Sequence, residues 1–94
     1  MRKASDFDIL EYLDSEEAMA AYLNAALEEG DVSMISVALG DIARAKGMTK
    51  LSKETGVTRD GLYKALSQTG NPSFDLVQKV VNALGLKIEV APKA

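Results

Sequence analysis

Met48-Thr49-Lys50-Leu51-Ser52-Lys53-Glu54-Thr55-Gly56-Val57-Thr58-Arg59-Asp60-Gly61-Leu62-Tyr63-Lys64-Ala65-Leu66 is the stretch whose pattern decides the fold. Thr49 is a candidate N-cap for a short helix over Lys50 to Thr55, Gly56 can take the positive φ needed to leave it, and Thr58 is a candidate cap for a second helix from Arg59 to about Ser67. Two short capped helices with a tight turn between them predict helix-turn-helix geometry. In such a unit the second helix can enter a DNA major groove N-terminus first while the first lies across the backbone. Leu51, Val57, Leu62 and Leu66 supply the apolar inner face, and Ser52 is small enough for close helix packing. Lys50, Lys53, Arg59, Tyr63 and Lys64 are left for the outside.

Towards the N-terminus, Asp14 with Glu17 three residues on makes a capping-box pattern, which predicts a helix from about Ser15 to Glu29. Its Met19, Tyr22, Leu23, Ala26 and Leu27 fall on one stripe, and Gly30 stops it. Asp31 or Ser33 can cap the next helix, in which Ile35, Ala38, Leu39, Ile42 and Ala43 repeat the spacing up to Lys46-Gly47. Gly40 sits inside that helix at a propensity cost of about 1 kcal/mol, so either two helices cross closely there or the helix bends. Towards the C-terminus, the polar loop Gln68 to Pro72 leads to Ser73, the cap of a fifth helix whose stripe is Phe74, Val77, Val80, Val81 and Leu84, with Gly85 as its stop. Leu86 to Val90 then switches to period two, which predicts a short strand ended by Pro92. A lone strand needs a partner, which could be the segment Asp6 to Leu10, the same strand of a second subunit or another protein. The expected fold class is therefore all-α, five helices with a short C-terminal strand.

With 94 residues, 47% hydrophobic and 27% charged, the chain has the size and composition of one soluble domain. It divides into an acidic segment and first helix over 1–31, a helix-turn-helix core over 32–85 and a strand and tail over 86–94. There is no Cys and no His, which removes disulfides, thiolate zinc sites, His-based general bases and Ser-His-Asp or Cys-His nucleophiles. An enzyme is the last class to expect, and no cofactor is implied. No stretch approaches the ~18 apolar residues of a membrane span, so a cytoplasmic protein is expected. Residues 1–31 hold nine acids against two bases, a net −7, whereas 32–94 hold nine bases against five acids, a net +4. The basic excess concentrates in Arg44, Lys46, Lys50, Lys53, Arg59 and Lys64, which face only Glu54 and Asp60 between positions 44 and 64. Charge alone is also compatible with ordinary solvated helix faces; caps, turn and apolar spacing on both sides favour DNA contact. Asp6-Phe7-Asp8 lacks the ligand spacing of a divalent-metal loop, and Met19, Tyr22 and Tyr12 read as core packing.

MTKLSKETGVTRDGLYKAL, followed by GNPSF and VQKVVNALGLKI, resembles the Cro/XRE (lambda-repressor-like) helix-turn-helix superfamily. Taken with DFDILEYLDSEEAMAAYLNAALEEGD and ALGDIARAKG, the chain from about Phe7 to Val90 is similar to the HTH-type addiction-module antidote proteins, small antitoxins of the HigA arrangement paired with RelE/ParE-like toxins. The resemblance implies a dimeric antitoxin that binds double-stranded operator DNA, represses its own operon and neutralises its toxin. It places Thr58 at the recognition-helix N-cap and Leu62 as the core anchor, with Arg59, Asp60, Tyr63 and Lys64 facing the groove and Thr49, Lys50 and Lys53 near phosphate. Asp60 departs from the pattern, since an acid beside DNA either accepts from cytosine N4 or repels phosphate. Gly61 departs too, and lowers the intrinsic stability of a short helix.

Ribonuclease-type toxins of the implied class are basic, so an acidic first third would speed encounter and cover a positive surface. The competing expectations are a standalone Cro/XRE-type regulator whose acidic segment only solubilises it, and a protein-interaction module in which the helix pair is structural. If the acidic segment does not dock the toxin, Leu86 to Val90 adding a strand to the toxin's sheet edge is the remaining candidate.

Overall fold

A computed structural model describes residues 9–93, and among these every regular element is helical. A helical stretch reaches residue 12, with the Leu13 N–H donating to the Ile9 carbonyl at 3.0 Å. Then follow α1 (Glu16–Glu29), α2 (Val32–Lys46), α3 (Met48–Thr55), α4 (Arg59–Ala65) and α5 (Phe74–Ala83). The five helices expected from caps and periodicity are thus formed, preceded by a helical stretch that the sequence pattern did not announce.

The caps explain the boundaries. Asp31, Thr58 and Ser73 each take an extended backbone and accept an orphan N–H of the first turn, from Ser33, Gly61 and Leu76 respectively. Two caps differ from expectation. At α1 the cap is Ser15, which accepts from the Ala18 N–H at 3.1 Å, so the Asp14–Glu17 capping box does not form. The cause is one residue of register: buried Leu13 anchors the chain immediately before α1, leaving Asp14 exposed and Ser15 at the entry. At α3 the helix starts at Met48, because that side chain is only 6% exposed and is drawn into the core. Thr49 therefore lies inside the first turn, and the cap position falls to Gly47, which makes no side-chain bond.

The core joins Leu13 and Met19 to Leu39, Ile42 and Ala43 of α2, Met48 and Leu51 of α3, Leu62 and Leu66 at α4, and Val80, Val81 and Leu84 at α5. α2 and α3 are its centre: α2 carries α1, α3 and α4 on its surface, and α3 also packs on α4 and α5. The choice left open at Gly40 is settled as a close crossing. A Cβ there would stand 2.3 Å from the Leu66 carbonyl oxygen, so only glycine lets α2 pass the end of α4. Three expected stripe or core residues lie outside instead, since Tyr12, Leu27 and Phe74 are 55%, 51% and 67% exposed.

No strand forms among the described residues, which corrects the expectation for Leu86 to Val90. Leu86 is held in a helical C-terminal turn, its N–H donating to the Val81 carbonyl at 3.1 Å after Gly85 takes φ +83°. That turn spends the first residue of the alternating run on closing α5, and the rest passes alongside α1, which offers side chains and no sheet edge. Of the suggested partner segment Asp6 to Leu10, Ile9 and Leu10 are helical, while Asp6 to Asp8, and with them Asp6-Phe7-Asp8, lie outside the described residues.

Candidate nucleic-acid interface

α3 and α4 are joined by Gly56, Val57 and Thr58 alone, and the connection is braced from both sides. Gly56 takes φ +77° and its N–H closes α3 on the Ser52 carbonyl. The Ser52 hydroxyl donates to the Val57 carbonyl at 2.6 Å, and Thr55 Oγ1 donates to the Leu51 carbonyl at 2.8 Å while accepting from the Val57 N–H at 3.3 Å. Ser52 is therefore a turn brace as well as a small packing residue. Sequence reading missed Thr55; the signal was a hydroxyl residue immediately before the helix-ending glycine, where it can bond local backbone. Thr58 Oγ1 then accepts from the Gly61 N–H at 3.0 Å. Gly61 has a steric reason too: a Cβ would meet Thr58 Oγ1 at 3.1 Å and Val57 Cγ1 at 3.2 Å.

Below this turn Leu51 and Leu62 are fully buried, which fixes how the two helices roll against the core. What is left outward is the expected set: Thr49, Lys50 and Lys53 on α3, then Thr58, Arg59, Asp60, Tyr63 and Lys64 at α4, all exposed. Thr58 differs in role from the others, since its hydroxyl is occupied by capping. Lys50 pairs with Glu54 at 3.8 Å and Lys64 with Asp60 at 3.3 Å, both one helical turn apart and well exposed. Exposed pairs of this kind are worth about 0–1 kcal/mol, so a phosphate can displace either acid at little cost.

Two further cations of the basic segment, Arg44 and Lys46, lie on α2, away from the α3–α4 turn, and face acids of their own. Arg44 Nη2 donates to Asp41 Oδ1 at 2.5 Å within α2, and Lys46 at the end of α2 lies 3.9 Å from Glu16 Oε2 of α1. Asp41 is nearly buried and also accepts from the Tyr22 hydroxyl at 2.7 Å, which ties α1 to the middle of α2. Tyr22 was expected as packing alone; its ring is half-buried, and its hydroxyl supplies the link. Lys50, Lys53, Arg59 and Lys64 remain as the cations around the turn. Among the described residues no group of three or more acidic, His or Cys side chains is placed to hold a metal ion, and no helix is long and apolar enough to cross a membrane.

Residues 3–92 match a family model described as "probable addiction module antidote protein". The chain belongs to this antidote family. It is also similar to an uncharacterized protein of Haemophilus influenzae (strain ATCC 51907 / DSM 11121 / KW20 / Rd), 52% identical over 85 residues that make up 90% of this chain and 88% of that protein. No solved structure matches the chain significantly. The family match spans the helix pair, the acidic first helix and the C-terminal segment together, so antidote membership rests on the whole described domain.

Proposed function

We propose that this antidote is a DNA-binding antitoxin of the HigA-like, Cro/XRE type, which represses its own operon and neutralises a RelE/ParE-like toxin. The observation that carries the DNA half is the braced α3–α4 unit, with four cations and Tyr63 exposed around one rigid turn. Rigidity matters because a recognition helix of seven residues has little stability of its own; the Thr58 cap, the Ser52 brace and buried Leu62 supply it. α4 enters the major groove by its N-terminal end, where Arg59 and Asp60 reach base edges first and Tyr63 and Lys64 follow one turn later. Thr49, Lys50 and Lys53 on α3 face the flanking phosphates.

A single unit of this size reads one half-site. Repression therefore calls for a homodimer whose recognition helices stand about 34 Å apart on a pseudo-palindromic operator. The toxin half follows from the family, since an antidote implies a toxin partner. Family membership favours this reading over a regulator that works without one.

The experiment is a fluorescence-anisotropy titration of the chain against the DNA upstream of its own gene, at several salt concentrations. Lys50→Ala and Lys53→Ala each weaken binding to all sequences and reduce the salt slope by roughly one for every phosphate left without its cation. Arg59→Ala and Lys64→Ala instead relax base preference at particular positions, at about 1–3 kcal/mol each. An unchanged slope in the Lys50/Lys53 double variant removes α3 from the interface, and equal losses on operator and random DNA refute base reading by α4.

A further inference from the structure

Two features far apart in sequence, the acidic α1 and the alternating C-terminal run, form the opposite walls of one open groove of about 780 Å³. Ala20, Leu23 and Leu27 line it from α1, and Leu86, Ile88 and Val90 from the C-terminal segment. Three of these are conspicuously uncovered for their size: Leu27 is 51%, Ile88 46% and Val90 92% exposed. Apolar side chains left exposed together along one groove and rimmed by charge offer a surface that a partner can cover. Its charged lining is Glu16, Glu17, Lys87 and Glu89, a net acidic rim in which Lys87 lies 4.0 Å from Glu89, Glu16 lies 3.9 Å from Lys46, and Glu17 stands outside both ion pairs.

We infer that this groove is the seat of the toxin, taken up through a toxin segment that is apolar along its centre and carries Lys or Arg along its margin. The inference rests on the antidote reading above and adds the surface and the chemistry of what fills it. The sign of the charge selects the occupant. A second copy of this chain would bring acidic rim to acidic rim, which like charges oppose, whereas a basic partner meets complementary charge and is steered by it. The geometry also leaves DNA free. The groove lies between α1 and the segment after α5, and none of the candidate DNA-facing residues lines it. A toxin seated there can be held while α4 occupies an operator.

The test uses the full chain and, as probe, the purified protein encoded beside its gene. Wild-type binding is measured first; no binding to that protein overturns the antidote pairing itself and the groove with it. Given binding, Leu27→Lys with Val90→Lys reverses the apolar centre at two exposed positions and raises Kd about thirtyfold or more, as removal of a buried interface anchor does. Glu17→Lys lowers the association rate, most of all at low salt. Met34→Lys, an equally exposed apolar position on α2 that does not line the groove, leaves binding unchanged. Operator affinity and thermal midpoint stay at wild-type values in the double variant. Three outcomes overturn the groove while leaving the antidote reading intact: unchanged toxin binding in the double variant, a dimer that turns monomeric in it by sedimentation, which assigns the groove to a second copy, or a lowered thermal midpoint with normal toxin binding, which assigns it to another part of this chain.

Discussion

Replacing Gly40 by Ala places a methyl group 2.3 Å from the Leu66 carbonyl oxygen, with the Leu66 carbonyl carbon at 3.4 Å. Ordinary contact needs roughly 3.4 Å, so α2 and the end of α4 must separate by about 1 Å. The obstructing atom is backbone at the closing turn of α4, where the Leu66 N–H bonds the Leu62 carbonyl, so no rotamer change relieves it. Two effects oppose each other. Alanine improves helix propensity by about 1 kcal/mol, while overpacking a close crossing costs typically 1–3 kcal/mol. Here the second wins, because the separation also loosens Leu39, Ile42 and Leu66, all almost fully buried at the same crossing. The expected net loss is up to about 2 kcal/mol, and each kcal/mol lowers the thermal midpoint of a domain this size by about 4–8 °C. Circular dichroism melting and urea titration measure it, with the urea slope unchanged if only stability has moved. Because the displaced element is the C-terminal end of the proposed recognition helix, operator affinity also falls at temperatures where the variant is fully folded. A raised midpoint for Gly40→Ala would show that propensity outweighs the crossing and would refute the reasoning.

Thr58→Ala removes the cap acceptor for the Gly61 N–H and is expected to lower stability by about 1 kcal/mol, read by urea denaturation, with a larger effect on operator binding than on melting because α4 is so short. Asp41→Ala removes the acceptor shared by the Tyr22 hydroxyl and the Arg44 guanidinium and is expected to cost about 1–3 kcal/mol, whereas Tyr22→Phe, which removes one of the two donors, costs less because Arg44 still satisfies the acid; a double-mutant cycle gives the coupling. Asp60→Asn frees Lys64 from its exposed pair. If Asp60 repels phosphate, the variant binds operator and random DNA more tightly alike; if it accepts from cytosine N4, it loses affinity at one operator position only.

Much of the architecture was legible because it is local. Asp31, Thr58 and Ser73 carry acceptors that reach N–H groups two or three residues away, and Gly30, Gly56 and Gly85 take positive φ where their helices end. The outward set on α3 and α4 was legible for the same reason, since Leu51 and Leu62 fix the roll of helices only two turns long. Where a cap depended on what the chain packs against, sequence misjudged it: burial of Leu13 moved the α1 cap to Ser15, and burial of Met48 carried α3 past Thr49.

The sequence by itself determined five of the helices, four of them with a side-chain cap, and a chain acidic at one end and basic around one turn. Those properties follow from side-chain acceptors, backbone freedom and charge, none of which needs a distant partner. Tertiary structure alone decided three things. It set Gly40 against Leu66 as a crossing and not a bend, and it set Lys46 at the end of α2 beside Glu16 of α1. It also kept Leu86 to Val90 from becoming a strand, because an alternating pattern needs a neighbouring edge to complete its hydrogen bonds, and the neighbour this fold provides is the flank of α1.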